Sequence, residues 1–423
     1  MRVALMTAGS RGDVAPYTGL GHGLAAAGHE VTLVTHAPFR PLVAGAGVGF
    51  HALPVDPRAE LTSEWGRSLN RSATDAGKLV KLARRARGLA RLVADDLLAA
   101  ARQNDVLLLS SSAAPLGCVL AEGLELPSIG VFLQPVAPTA EFGPPIAGGR
   151  SWGGPLNRLG GQVVEASVDL FFADTSRRLR ARLGARATRA GAARRARERR
   201  GWPVVHGFSP LVVPRPRDWR PGLSVAGYWW PYAPGGDGLP PRVREFLDAG
   251  PPPVFVGLGS ATVPDPQGLS RTVVRALRAA GLRGVIQRGW SGLDAAEASG
   301  GARDPDMLTV DEVPHAELFP HLAAVVHHAG AGTTAAGLRA GVPAVPVPVQ
   351  FDGGFWARRL VSLGVAPAAV PLRRLDERSL GAALVRATGD PSYTRRARGL
   401  GTRIRAEDGV APVLAALEQI GRG

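Results

Sequence analysis

The sequence predicts an α/β protein built from two similar halves that face each other across a cleft, and three observations predict it. The first 50 residues read strand, loop, helix, strand; the same grammar restarts near residue 251; and the first strand of each half ends in a Gly/Ser turn. These turns are Gly9-Ser10-Arg11-Gly12-Asp13 and Gly257-Leu258-Gly259-Ser260. A length of 423 residues suits two domains, each able to bury a core. Open parallel sheets bind ligands beyond the carboxyl ends of their strands, so both turns point to the cleft.

In chain order, Val3 to Thr7 is a short apolar run and Gly9 to Pro16 has loop chemistry. Tyr17 to Ala27 has helix formers with Gly28 at the C-cap, and Val31 to Thr35 is β-branched. Strands are expected at Val106 to Leu109 and Ser128 to Leu133, with a helix over Leu89 to Ala101 between earlier elements. Residues 135 to 157 are rich in Pro and Gly and predict an irregular segment over the sheet, followed by helix toward Arg200. Val213 to Pro234 reads as a Pro/Trp-rich connector. The second half runs from a strand at Val254 through a helix at Arg271 to Ala279, strands at Gly284 to Gln287, Met307 to Val310, Ala323 to His327 and Val345 to Val349, and a helical tail.

Composition removes several classes. Cys118 is the only cysteine, so there is no intramolecular disulfide and no Cys/His zinc cluster to expect. The start is too short and too soon charged for a signal peptide, and no run reaches the roughly 18 apolar residues of a membrane span, which leads to an expectation of a cytoplasmic protein. The net charge of +15 comes from 50 Lys and Arg against 35 Asp and Glu, and only Lys78 and Lys81 are lysines. The basic clusters, Lys78 to Arg91 and Arg177 to Arg200, have helical spacing and no interleaved aromatics. Solvated helix faces explain them better than a polyanion or membrane surface does, and no base-reading module is present.

The richest stretch is Val325-Val326-His327-His328-Ala329-Gly330-Ala331-Gly332-Thr333-Thr334. A buried strand ends in two His, a small-residue turn follows and a helix opens at Thr333, so free backbone N–H groups and the positive helix end converge on a point suited to a diphosphate. The stretch lacks the Lys of a Walker loop, and Ala335 stands where a dinucleotide fingerprint needs Gly. A plain strand-to-helix turn with a core His would read the same way. Asp13 is placed either as a general base toward a hydroxyl or as an acid favoured by a helix N-terminus. Asp352, just past a strand, suits hydroxyls of a ligand or a solvent-exposed turn.

Taken together, His327 to Thr334, Leu338-Arg339-Ala340-Gly341-Val342-Pro343, Asp352 and Phe355-Trp356 resemble the nucleotide-sugar signature of the family 1 GT-B glycosyltransferases. Gly9 to Pro16, Gly28 to Leu33, Leu133-Gln134-Pro135 with Pro138-Thr139 and Phe142, and Pro214 to Trp219 with Gly227-Tyr228-Trp229 resemble its bacterial sterol-glucosyltransferase-like and antibiotic branch. The resemblance implies two Rossmann-like domains: an N-terminal acceptor domain over 1–213, a linker over 214–234, and a nucleotide-sugar domain over 235–400. A tail over 401–423 would pack back on the first domain.

It further implies inverting, metal-independent transfer from a UDP- or dTDP-sugar to a hydroxyl of a lipophilic acceptor, a natural product or sterol-like molecule. No cofactor is implied, the nucleotide sugar being a co-substrate, and neither nucleic acid nor stable membrane insertion is expected. Asp13 would be the base; Ser10, Ser260, His328, Gly330, Gly332 and Thr333 would hold the diphosphate. Val313 would lie beside the nucleobase, Asp352 would hold the sugar, and Gln134, Thr139 and Phe142 would line the acceptor pocket. Three positions depart from the pattern: Gly353 replaces the usual Gln after Asp352, Ala329 replaces a common Gly, and Glu312-Val313 stand where plant members carry a Trp. The missing Gln keeps a second possibility in play, a non-catalytic relative that binds a nucleotide sugar.

Overall fold

In the computed structural model the described residues are 1–62, 76–233, 238–298, 304–349 and 351–422, with side chains described outside 60–62 and 76–87. Lys78 and Lys81 therefore lie outside the described side chains, and Gln350 lies outside the described residues.

Two parallel sheets organise the chain. The first has the order β3-β2-β1-β4-β5-β6-β7, from β1 (Arg2–Met6), β2 (Glu30–His36), β3 (Gly49–Leu53), β4 (Val106–Leu109), β5 (Ser128–Phe132), β6 (Val204–His206) and β7 (Leu223–Val225). The second has the order β10-β9-β8-β11-β12, from β8 (Val254–Gly257), β9 (Gly284–Gln287), β10 (Met307–Val310), β11 (Ala324–His327) and β12 (Ala344–Pro346). Val3 to Met6, Val106 to Leu109 and Val325 are wholly buried, as strands covered on both faces must be. β12 is an edge strand, which is why Pro346 is tolerated there.

The strand order reverses beside β1 in one sheet and beside β8 in the other, and such switch points open crevices at the carboxyl ends. The turns after β1, β8 and β11 all lie at those ends. The helices that frame them are α1 (Arg11–Ala26), α2 (Gly154–Arg182), α3 (Ala331–Ala340), α4 (Gly353–Ser362) and α5 (Ala411–Gly421).

Three expectations change. The helix expected from Tyr17 begins at Arg11, so Asp13 sits in a first helical turn and Pro16 lies inside the helix. The stretch 214–234 is not simply a connector: it supplies β7, paired to β6, and buries Trp219, Tyr228 and Trp229. β3 went unpredicted because Gly49-Phe50-His51-Ala52 has no clean alternation, and its half-buried side chains match an edge strand.

At the chain's end, Val413 and Leu417 of α5 are fully buried in one apolar cluster with Val3, Leu5, Tyr17 and Leu20 of the first half. The Trp229 indole N–H donates to the Gly409 carbonyl at 2.7 Å, tying the approach to α5 to the same half. The two halves also share a core: one cluster runs from Met6 and Leu109 through Phe208 to Phe355 and Trp356. Phe142 meets Phe355 with ring centroids 5.2 Å apart, and Phe208 meets Trp356 at 6.1 Å. Among the described residues no helix is long and apolar enough to cross a membrane.

Candidate functional site

Asp13 is positioned by its own helix start. The Ser10 backbone N–H and hydroxyl both donate to Asp13 Oδ2, at 2.9 and 3.1 Å, and the Thr7 hydroxyl donates to the Asp13 carbonyl at 2.8 Å. Gly9 has φ +147°, and a β-carbon there would lie 2.4 Å from Asp13 Oδ2, so the turn admits only glycine. Burial raises the Asp13 pKa above the ordinary carboxylate value, bonds from Ser10 oppose the shift, and the negative charge of Asp352 adds to it. The Gln134 side chain lies near enough to the carboxylate to lower its pKa slightly, while its Oε1 accepts from the Ser111 hydroxyl at 3.1 Å. A carboxylate held this way is oriented and more basic than one in water.

Across the cleft, His328 follows β11. Its ring is held between two glycines: a β-carbon on Gly259 would lie 2.8 Å from Cε1, and one on Gly330 would lie 2.3 Å from Nε2. Burial lowers its pKa to about 4, so the imidazole is neutral near pH 7 and has one N–H to donate. Its Nδ1 is buried with no partner. Gly330 is the N-cap of α3 and makes no side-chain cap, which leaves the N–H groups of Ala331, Gly332 and Thr333 free of intrahelical partners. Gly332 is exposed, and a β-carbon there would meet nothing. Thr333 and Ser260 are half-buried beside these groups at the ends of β11 and β8.

His327 has a different role. It is 1% exposed, its Nδ1 accepts the Ala329 N–H at 3.1 Å, and burial lowers its pKa to about 3. That bond fixes the tautomer with the proton on Nε2 and braces the turn. Ala329 adopts φ +60°, a left-handed conformation that explains the common Gly at this place.

Asp352 leads into α4. Its Oδ2 accepts the Trp356 indole N–H at 2.7 Å, and burial raises its pKa. Phe351 before it has φ +51° and is 62% exposed. A β-carbon on Gly353 would lie 3.0 Å from the His328 carbonyl oxygen, so the position after Asp352 abuts the His328 turn.

Other expected residues are placed elsewhere. Thr139 is 2% exposed, and its hydroxyl donates to Asp218 Oδ1 at 2.6 Å. Ala140 N–H and Arg158 also bind that carboxylate, so the Thr139 hydroxyl is engaged in anchoring the 135–157 segment. Phe142 packs on Phe355 of the second half. The Val313 side chain is 7% exposed in a core with Phe255 and Leu318, leaving only its backbone to meet a base. The Ser10 hydroxyl is engaged by Asp13.

Two features were missed. Arg11 and Glu312 form an ion pair at 2.8 Å that links the two halves at the cleft mouth. Ser110 to Ser112 lie just past β4, the strand beside β1, where the switch-point rule directs attention. Among the described residues, no three His, Cys, Asp or Glu are grouped to hold a metal ion.

Known proteins are similar to this chain over nearly its whole length. Residues 3–142 match the glycosyltransferase family 28 N-terminal domain, and residues 291–419 match the erythromycin biosynthesis protein CIII-like C-terminal domain. The chain is 34% identical over 437 residues to a sterol 3-beta-glucosyltransferase of Emericella nidulans, covering 99% of this chain and 30% of that protein. It is 31% identical over 429 residues to the sterol 3-beta-glucosyltransferase of Arabidopsis thaliana, covering 98% of this chain and 65% of that one. The chain thus spans about a third of its fungal relatives' length. Among solved structures, the glycosyltransferase VinC in complex with dTDP superposes over both whole chains with a TM-score of 0.64 at 20% identity.

Proposed function

The chain is a GT-B-fold relative of the sterol 3-beta-glucosyltransferases and the natural-product glycosyltransferases, and we propose that it transfers a sugar from a UDP- or dTDP-sugar to a hydroxyl of a lipophilic acceptor. The observation that carries this reading is the pairing of a buried, donor-oriented carboxylate at Asp13 with the His328 turn on the opposite half.

In this reading Asp13 takes the acceptor's hydroxyl proton while the oxygen attacks the anomeric carbon and the diphosphate departs from the other face, inverting the centre. Negative charge grows on the leaving diphosphate as the glycosidic bond breaks. The neutral His328 N–H, the free N–H groups opening α3 and the Ser260 hydroxyl stabilise it without a cation. Asp352 holds sugar hydroxyls beside the base. Ser10 and Gln134 aim the carboxylate, so Gln134 is a positioning residue in this scheme. In this reading it acts in the cytoplasm, on an acceptor small enough to enter the cleft.

The test is product formation, read by mass spectrometry, from UDP- and dTDP-sugars crossed with sterol, macrolide, polyene and phenolic acceptors. Transfer with inversion at the anomeric carbon supports the proposal. Gly353 motivates the second reading, a nucleotide-sugar binder without transfer. Donor binding with neither transfer nor slow release of UDP or dTDP would favour it.

A further inference from the structure

We propose that the outward face of α2 docks this protein peripherally on an anionic lipid bilayer. α2 packs against the helices Ala76–Arg102 and Ala114–Gly123, and it buries Asn157, Gly161, Thr175 and Leu179. At about 100° per residue, Leu156, Leu159, Val163 and Leu170 fall on the opposite side, in one line about 21 Å long. A surface helix ordinarily puts polar residues on that line. Here the four are 55, 54, 56 and 63% exposed.

The line continues toward the cleft. Trp152 and Ile146 are 47 and 58% exposed, and the Pro145–Ala147 turn packs against α4, the helix that Asp352 opens. An apolar run of this extent on a folded surface marks a contact site, and a tryptophan at its end suits a headgroup boundary.

Charge selects the occupant. Residues 150–200 contain thirteen arginines and four acids. All four acids are paired: Glu165, Asp169 and Glu198 with Arg194, and Asp174 with Arg91, Arg177 and Arg178. None of the four is exposed, whereas Arg150, Arg158, Arg177, Arg178 and Arg182 are; Arg158 pairs with Asp218 and Arg182 with the exposed Asp95 from neighbouring elements, and Arg177 and Arg178 share the single charge of Asp174, so the face keeps an excess of arginine. A second copy set face to face would oppose two such fields. A bilayer with anionic headgroups neutralises them and receives the apolar line, which is how an interfacial amphipathic helix binds.

The inference stands apart from the reading of the cleft, since its test needs neither donor nor acceptor. The full chain is sedimented with vesicles of phosphatidylcholine and phosphatidylglycerol in equal parts, and with vesicles of phosphatidylcholine alone. Expected is binding to the anionic vesicles that weakens steeply with salt and is lost on the neutral ones. Leu159→Glu with Val163→Glu should lower the bound fraction by about tenfold or more at an unchanged unfolding temperature, both sites being exposed. Failure to bind at low salt, or equal binding by the double variant, overturns the proposal. So does a dimer in sedimentation equilibrium that the same double variant dissociates, which would assign the face to a second copy.

Discussion

Gly353 stands against His328: a β-carbon at position 353 would come 3.0 Å from the His328 carbonyl oxygen. Any side chain there must push the His328 turn or the start of α4 by a few tenths of an ångström. Gly353→Ala should cost about 1 kcal/mol of stability and raise donor KM several-fold. Gly353→Gln, despite restoring the residue usual in similar sequences, should also bind donor more weakly. Donor titrations on the two variants check this; tighter binding by the glutamine variant would show that the turn adapts freely.

Asp13→Asn keeps the shape of the side chain and removes the base. It should lower kcat by about 10²-fold to 10⁴-fold with donor binding retained. The pH profile gives a sharper readout. In the proposed mechanism activity requires the carboxylate, so kcat/KM should fall as pH drops through the Asp13 pKa, and burial places that limb above the ordinary carboxylate position. Asp352 contributes to the same upward shift. Asp352→Asn should therefore move the acid limb to lower pH, besides weakening the hold on the sugar. A limb that stays put would show that Asp352 does not act on Asp13.

His328→Ala should weaken donor or free nucleoside diphosphate binding by about tenfold to a hundredfold, the loss of one hydrogen bond to an anion. His328→Gln keeps an N–H donor and should recover part of it. Calorimetry near pH 7 suffices, because the imidazole is neutral well above its pKa of about 4. Equal binding by all three proteins would remove His328 from the diphosphate site.

The parts of this fold that are legible in sequence are those set by neighbours along the chain. Val3 to Thr7 ending in Gly9-Ser10, and Val325 to His327 ending in Ala329-Gly330, announce strand-to-helix turns because β-branched runs and glycines carry local meaning. Pro16 misleads for the same local reason: it reads as the end of a loop before a helix at Tyr17, yet Ser10 and Asp13 already close a first helical turn that begins at Arg11. Thr139 belongs to a partner 79 residues away in Asp218, and Gln134 reaches Asp13 from another strand's end. No spacing rule contains those pairings. They follow from which strands lie side by side.

Ala329 holds φ +60° with its side chain fully buried. An L-residue in this conformation is strained by about 1 to 2 kcal/mol, and glycine relieves that while losing more backbone entropy on folding. Ala329→Gly should therefore leave stability unchanged or raise it by up to about 1 kcal/mol. Ala329→Val, β-branched in a left-handed turn, should cost several-fold more and loosen donor binding by moving His328. Urea midpoints for the two variants provide the check.

Thr139 and Asp218 separate an anchoring role from an acceptor-lining one. Burial works to raise the Asp218 pKa, but the bonds it accepts from Arg158, the Thr139 hydroxyl and the Ala140 N–H outweigh that and lower it to about 2 against 3.8 in an unfolded chain. A carboxyl with a depressed folded pKa contributes stability above its unfolded value and loses it as pH falls through the folded one. The contribution is about 1 to 2 kcal/mol after solvent screening, fully present above about pH 5 and mostly lost by about pH 2. Asp218→Asn should flatten that part of the stability profile. Thr139→Val should cost about 1 kcal/mol while leaving acceptor KM within about twofold, since the hydroxyl faces Asp218 and not the cleft. A large rise in acceptor KM with stability intact would return Thr139 to the pocket wall.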